Sequence, residues 1–217
     1  MTEVKICGIT NLDDAFSACD SGADALGFIF VEKTPRYIAA EEARGIIRRL
    51  PEEIAKVGVF VNLPIETVWK TYSYCGLDFI QLHGDESVDY SRAFPPSILI
   101  KAIAPKQESD LKGIDSYKAR AFLVDSRDRN QYGGTGAFSN WELAAAIQKK
   151  HAVILAGGLN PENVEKAIAY VSPDAVDVGS GVEIRPGKKD REKVKRFIER
   201  VQAADGKDGK GIFKLER

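Results

Sequence analysis

The chain has 217 residues, 44% hydrophobic and 29% charged, a balance that fits one soluble globular domain. Its net charge of −1 excludes a global basic field of the kind that gathers nucleic acid or anionic membrane, so an anionic ligand has to be held by a local site. The three cysteines, Cys7, Cys19 and Cys75, are odd in number and scattered, which excludes a disulfide framework, and no CxxC pair points to zinc.

The first residues, MTEVKICGIT, lack a signal-peptide pattern. No stretch of about 18 apolar residues is present to span a membrane. A reducing cytoplasm is the plain reading, and the chain reads as free-standing.

Eight short runs rich in Val, Ile, Leu and Phe recur at 3–7, 24–30, 55–61, 77–82, 97–101, 120–125, 151–156 and 174–178. Such runs suit strands covered on both faces, as in a parallel sheet. Helical patterns fill the gaps between them. Asn11 before Leu12-Asp13-Asp14 reads as a helix start with acids in its first turn. Ala39, Ala43, Ile46, Ile47 and Leu50 recur at helical spacing, and Pro64 sits where a first helical turn tolerates proline. Residues 104–118 are polar and weakly periodic. Asn160 reads as an N-cap before Pro161, and Glu162 to Tyr170 and Asp190 to Ala203 read as amphipathic helices.

Eight βα units in this length predict an α/β fold, a single-domain (β/α)8 TIM barrel over residues 1–203. Residues 204–217 form a polar Gly/Lys-rich tail, expected to fray. A doubly wound open sheet is the alternative. It calls for a Gly-rich fingerprint after the first strand, and CGIT is not one.

In barrels the chemistry sits at the C-terminal ends of the strands. Alternation puts Lys5 and Cys7 on one face of the first strand, towards the axis. A buried lysine there needs a carboxylate or a ligand, and Asp125 and Asp177 are the candidates. A free cysteine otherwise packs as a small hydrophobe, so position alone leaves Cys7 open between chemistry and packing; Cys19 and Cys75, in helical segments, read as packing.

Asp125 ends an apolar strand, which is costly unless it serves a site or a salt bridge. The polar loop after it, SRDRNQYGGTG, reads either as a lid over a ligand or as ordinary surface. Gly157 and Gly158 after strand seven, and Gly179-Ser180-Gly181 after strand eight, let backbone N–H groups approach an anion. Loops seven and eight are the usual phosphate site of this architecture. Arg36, in the loop after strand two, suits a carboxylate held by two parallel hydrogen bonds. His83 reads equally as a ligand contact and as a structural histidine. His151 opens strand seven at the opposite rim and is given no chemistry. Trp69 and Trp141 fall in helical segments on the barrel exterior.

KICGIT at 5–10, TPRY at 34–37, GVFVN at 58–62, QLHG at 81–84, LVDS at 123–126, YGGTG at 132–136, AGGLNPENV at 156–164 and DVGSGVE at 177–183 together resemble the phosphoribosylanthranilate isomerase family. The match runs from residue 4 to about residue 200. Each motif is short; their joint order and spacing are specific. The resemblance implies the third step of tryptophan synthesis from chorismate. N-(5′-phosphoribosyl)anthranilate becomes 1-(2-carboxyphenylamino)-1-deoxyribulose 5-phosphate by an Amadori rearrangement, with no cofactor or metal.

By the resemblance Cys7 is the general base and Asp125 the general acid, Arg36 holds the anthranilate carboxylate, and Asp177 supports the sugar. These roles require Asp125 to hold its proton near neutral pH and Cys7 to lose its own. A positive charge such as Lys5 would favour the second. The family pattern after strand eight carries two serines before the glycine; here Gly179 replaces the first, and phosphate binding is expected to survive. The implied partner is a small phosphosugar-anthranilate, with no nucleic acid and no membrane, and a monomer or a homodimer is left open.

Three other readings compete. The histidine-pathway isomerase performs the same rearrangement, but is expected to carry an aspartate at Cys7 and to bind a two-phosphate ligand. A lyase-type barrel, such as indole-glycerol-phosphate synthase, needs a lysine and glutamate set not found here. A binding-only barrel would bind a product analogue without turnover.

Overall fold

The computed structural model describes residues 1–125, 141–204 and 211–215. Eight parallel strands close into a barrel in sequence order: β1 (Glu3–Cys7), β2 (Ala25–Ile29), β3 (Ala55–Phe60), β4 (Phe79–Leu82), β5 (Leu99–Ile103), β6 (Ala121–Asp125), β7 (Val153–Ala156) and β8 (Ala175–Val178). Closure is made by β1 against β8, with Lys5 opposite Asp177. The strands lie where the apolar runs predict them, with ends shifted by no more than two residues.

Two apolar layers explain the strand composition. One alternating set (Ala25, Val57, Phe79, Ile100, Leu123, Ile154 and Ala175) fills the barrel. The other set (Val4, Ile6, Leu26, Ile80, Phe122, Leu155 and Val176) packs outwards against the helices. Both faces are dry, so the strands read as continuous apolar runs.

The helices are α1 (Leu12–Asp20), α2 (Ala40–Ile47), α3 (Ile65–Cys75), α4 (Val88–Ser91), α5 (Trp141–Gln148), α6 (Val164–Val171) and α7 (Arg191–Ala204). Asn11 caps α1 as its sequence suggests, its side chain accepting from the Asp14 N–H at 3.0 Å. Helix α7 seats Val194, Phe197, Ile198 and Val201 on the barrel, each buried side chain stabilising by roughly 1.5–3 kcal/mol. Helix α6 starts later than expected. Asn160 caps a leading turn instead, its Oδ1 accepting from the Glu162 and Asn163 N–H groups at 2.9 and 3.1 Å. The weakly periodic stretch between β5 and β6 carries two short 3-10 turns, Glu108–Leu111 and Ile114–Ser116.

Two features depart from the sequence reading. After β8 a 3-10 turn (Ser180–Val182) leads into an antiparallel hairpin of β9 (Glu183–Arg185) and β10 (Lys188–Lys189), which pairs Glu183 with Lys189. The tail, expected to fray, docks at residues 211–215. Ile212 and Phe213 are buried in the barrel-interior cluster, with the Phe213 ring 6.0 Å from Phe79. Arg120 donates to the Gly211 and Lys214 carbonyls at 3.2 and 3.1 Å, and the Phe213 N–H donates to Glu3 at 3.1 Å. Glu3, Phe79 and Arg120 lie at or just before the N-terminal ends of their strands, so the tail closes the floor of the barrel. Two apolar residues among lysines and glycines carry too weak a period to announce this. His151 is at the same end, against Asp115 at 2.6 Å and the Phe122 ring.

Candidate active site

At the other end of the barrel, alternation aims Cys7, Gln81, His83, Asp125 and Asp177 inwards. Lys5 is fully buried and donates to Asp177 Oδ1 at 2.7 Å, which settles its partner between the two candidates. Burial alone would lower the Lys5 pKa, but the Asp177 carboxylate and Cys7 outweigh it and hold the ammonium above its ordinary range. Gly27 on β2 makes the room: a Cβ there would stand 2.8 Å from Cys7 Sγ and 3.2 Å from Lys5 Cε.

Cys7 is buried, and burial pushes its thiol up despite the opposing charges of Lys5 and Lys189, while Asp177 adds to the rise. The sequence reading had Lys5 favouring the thiolate. Lys5 does act in that direction, but it is shared with Asp177, and desolvation wins.

On the far side of the mouth, His83 Nε2 stands 3.5 Å from Asp125 Oδ2. The other ring nitrogen, Nδ1, meets Gln81 Nε2 at 2.8 Å. With the amide donating, Nε2 carries the hydrogen and presents it to the Asp125 carboxylate. That orientation leaves Gln81 Oε1 buried without a partner among the described residues. The opposite orientation would place Oε1 on an Nδ1–H and offer Asp125 a bare nitrogen, the partner a carboxylic acid needs. The loop presenting His83 is fixed from below: Glu86 accepts from the Asn62 and Gly84 N–H groups at 2.8 and 2.9 Å and from Lys101 at 2.7 Å.

Arg36 donates through Nε and Nη2 to both oxygens of Glu183, at 2.8 and 2.6 Å. Lys189 donates to the same carboxylate at 3.0 Å. Burial would raise Glu183, but the Arg36 hydrogen bonds and the Lys189 ammonium hold it below the usual carboxylate range. Arg36 is thus a braced guanidinium with Nη1 making no hydrogen bond to a described residue, rather than a loose loop arginine.

The loops after β7 and β8 press together. Gly157 and Gly158 have φ of +83° and +72°. A Cβ on Gly181 would overlap the Leu159 carbonyl oxygen, so the two loops approach this closely only because residue 181 is glycine. Gly179 is different: its φ is −116° and a Cβ would meet only the Cys7 carbonyl, at 3.6 Å.

A family profile described as N-(5'phosphoribosyl)anthranilate (PRA) isomerase matches residues 4–200. The chain belongs to the N-(5'-phosphoribosyl)anthranilate isomerase family. Among relatives of that name, the Syntrophus aciditrophicus protein is 53% identical over 95% of this chain and 90% of its own length. The Geobacter sp. (strain M21) protein is 49% identical over 91% and 97%. Among solved structures, phosphoribosyl anthranilate isomerase from Thermotoga maritima superposes with a TM-score of 0.87 at 44% identity, over 94% of this chain and all of that one. A structure of the isomerase in complex with reduced 1-(o-carboxyphenylamino)-1-deoxyribulose 5-phosphate gives 0.83 at 42% identity, with 94% and 100% covered.

The sequence-derived candidates of this isomerase family member fall into two groups on one face of the barrel. Cys7 and Asp177 lie together around Lys5, with Gly179, Ser180 and Gly181 on the loop that follows. Asp125 and His83 pair across β4 and β6. Gly157 and Gly158 precede Leu159 and Asn160, which abut Gly181 of the β8 loop, and Arg36 reaches the residue after that loop's 3-10 turn, Glu183. Residues 126–136, read as a lid or as surface, lie outside the described residues. Glu183, Lys189 and Gln81 carry no sequence-derived role. Gln81 and Glu183 stand within motifs of the family resemblance; strand alternation already puts Gln81 on the same face as His83, but only the fold brings Glu183 to Arg36. Lys189 sits in a run of exposed-looking lysines with no local signal at all.

Proposed function

We propose that Cys7 and Asp125 act as base and acid in the Amadori rearrangement of N-(5′-phosphoribosyl)anthranilate to 1-(2-carboxyphenylamino)-1-deoxyribulose 5-phosphate, a step of tryptophan biosynthesis. The observation that carries this is that Cys7 and Asp125 are inward-facing terminal residues of β1 and β6, with the mouth of the barrel between them.

Asp125 gives a proton to the ring oxygen of the ribose, the C1′–O bond breaks, and an iminium forms between C1′ and the anthranilate nitrogen. The Cys7 thiolate takes the C2′ proton; the C–H electrons form the C1′–C2′ double bond and neutralise the nitrogen. The enolamine then takes a proton at C1′ and loses one from its hydroxyl, giving the ketone. The resting Cys7 is a buried neutral thiol, so it must first release its proton to solvent; the iminium favours that loss by bringing a positive charge beside Cys7 at the step that needs the thiolate.

Asp177, fixed by Lys5, is assigned to the sugar hydroxyls, and His83 to orienting Asp125. Gly157, Gly158, Gly179, Ser180 and Gly181 are assigned to the phosphate, and the outward side of Arg36 to the anthranilate carboxylate. The chain supplies all of these groups itself, and no cofactor enters the scheme. The thiols of Cys7, Cys19 and Cys75 are free, which suits a reducing cytoplasm. No described helix is long and apolar enough to cross a membrane. One neighbour is a structure of mutually generated monomers of the dimeric isomerase from Thermotoga maritima, so monomer and homodimer are the two assemblies for light scattering to distinguish.

The test is turnover. Substrate is generated in situ from anthranilate and phosphoribosyl pyrophosphate with a transferase, and its fluorescence is followed with EDTA present. Rapid loss on adding this protein, absent with Cys7→Ser, supports the assignment. No loss would reject it and move the histidine-pathway substrate and a binding-only barrel forward.

A further inference from the structure

We propose that Lys189 is a positioning residue that holds the base strand, the loop after β8 and the Arg36 clamp in one register, so that one extended substrate meets all three. This rests on the isomerase reading above.

The Lys189 side chain is almost fully buried, and its ammonium has three acceptors: the Cys7 carbonyl at 2.6 Å, the Gly179 carbonyl at 3.1 Å and Glu183 Oε1 at 3.0 Å. That uses every proton the group has. Each acceptor belongs to a different part of the site. Cys7 is the base, Gly179 opens the loop assigned to the phosphate, and Glu183 grips Arg36 with two hydrogen bonds.

The contacts form a closed ring. Gly8 follows Cys7 with φ of +80°, and a Cβ there would stand 2.9 Å from Arg36 Cδ, so the stem of Arg36 lies across Gly8 on its way to Glu183. From Glu183 the ring passes through Lys189 back to the Cys7 carbonyl. The hairpin that carries Lys189 is itself anchored. The Lys189 N–H donates to Asp14 Oδ2 at 2.7 Å, and Lys188 donates to Asp14 Oδ1 at 2.6 Å, at the capped start of α1.

A buried ammonium is a weak means of stabilising a fold, because apolar packing of equal volume does as well. What it supplies is direction: three carbonyl or carboxylate oxygens, from β1, the β8 loop and β9, are aimed at one point. Its charge also lies close to Cys7 and opposes the effect of burial on the thiol.

The experiment compares wild type with Lys189→Met, Lys189→Arg, Arg36→Met and the double variant Lys189→Met/Arg36→Met. The readouts are kcat, KM, the pH dependence of kcat/KM, and calorimetric binding of reduced 1-(o-carboxyphenylamino)-1-deoxyribulose 5-phosphate. Lys189→Met is expected to lower kcat/KM by roughly 10²-fold through both constants, the size of effect a misplaced binding group has. Its kcat/KM should begin to rise at higher pH than that of wild type, and Lys189→Arg should recover part of the loss. In the Arg36→Met background the effect of Lys189→Met on analogue binding should shrink, because both act through one clamp.

A folded Lys189→Met with wild-type analogue affinity and an unshifted pH profile overturns the proposal. If Lys189→Met does not fold, Glu183→Gln decides, since it keeps the shape and removes the charge. Weakened analogue binding supports the ring, and unchanged binding overturns it. Absence of turnover in wild type would reject the isomerase reading alone, because analogue binding tests the ring without it.

Discussion

Arg36 and Glu183, 147 residues apart in the chain, meet through two hydrogen bonds of 2.8 and 2.6 Å. The pair turns a loop arginine into a fixed cation on the catalytic rim. Its second consequence is that Glu183 keeps Lys189 as a partner when Arg36 is removed. Arg36→Met should therefore fold, and it should bind substrate less well. Loss of a charge-assisted contact to a carboxylate is worth about 1.5–3 kcal/mol, or roughly 10- to 10²-fold in KM. Steady-state kinetics with a thermal melt check both halves. An unchanged KM would detach Arg36 from the substrate.

Cys7 sets a pH dependence whose sign follows from burial. Its thiol is held above the ordinary range, so the neutral form dominates at pH 7 and the thiolate gains with rising pH. Alkylation of Cys7 by iodoacetamide should therefore quicken about tenfold per pH unit from pH 7 to pH 9. Mass spectrometry separates Cys7 from Cys19 and Cys75, whose thiols are each pushed up to about 11 by burial. A rate that is flat with pH would place the Cys7 thiolate in the free protein already.

Of two glycines in one loop, only Gly181 should resist substitution. Gly179→Ser introduces a Cβ at ordinary contact distance and should change stability by no more than about 0.5 kcal/mol, with KM unchanged. Gly181→Ala drives a Cβ into the Leu159 carbonyl and must push the β7 and β8 loops apart. Inhibition by inorganic phosphate should weaken in Gly181→Ala alone. Undiminished phosphate inhibition in a folded Gly181→Ala would separate this loop from phosphate binding.

The floor of the barrel should be dispensable for chemistry. Phe213→Ala empties a site against Phe79 and costs about 3–5 kcal/mol, which for a chain of this size lowers Tm by roughly 6–20 °C. The melt should fall while kcat/KM at 25 °C stays at the wild-type value. A matching loss of activity would show that the two ends of the barrel are coupled.

What the sequence made legible followed from period and position. Strands dry on both faces announce themselves as apolar runs, and every barrel strand is found within two residues of its run. The inward face of β1 followed from alternation, and so did the pairing of Lys5 with a strand-end carboxylate, which the fold settles as Asp177. Arg36 was legible as a carboxylate binder by chemistry and motif. Its brace was not, because Glu183 comes near only after the β9–β10 hairpin forms, and that hairpin is too short to leave a period. Lys189 lies beside the half-exposed Lys188, and no local feature distinguishes a buried lysine from a solvated one. The docked tail escaped for a similar reason. Its anchors are two apolar residues and three backbone carbonyls, and carbonyls are invisible in a sequence.

The central claim is that Cys7 and Asp125 are the base and the acid, and it is tested most directly by kcat of Cys7→Ser and Asp125→Asn. Calorimetric binding of the reduced product analogue is measured on the same samples. Each variant should lose roughly 10²- to 10⁴-fold in kcat, the contribution of one positioned proton-transfer group, while still binding the analogue. Wild-type kcat in either variant would contradict the account and remove that residue from the chemistry.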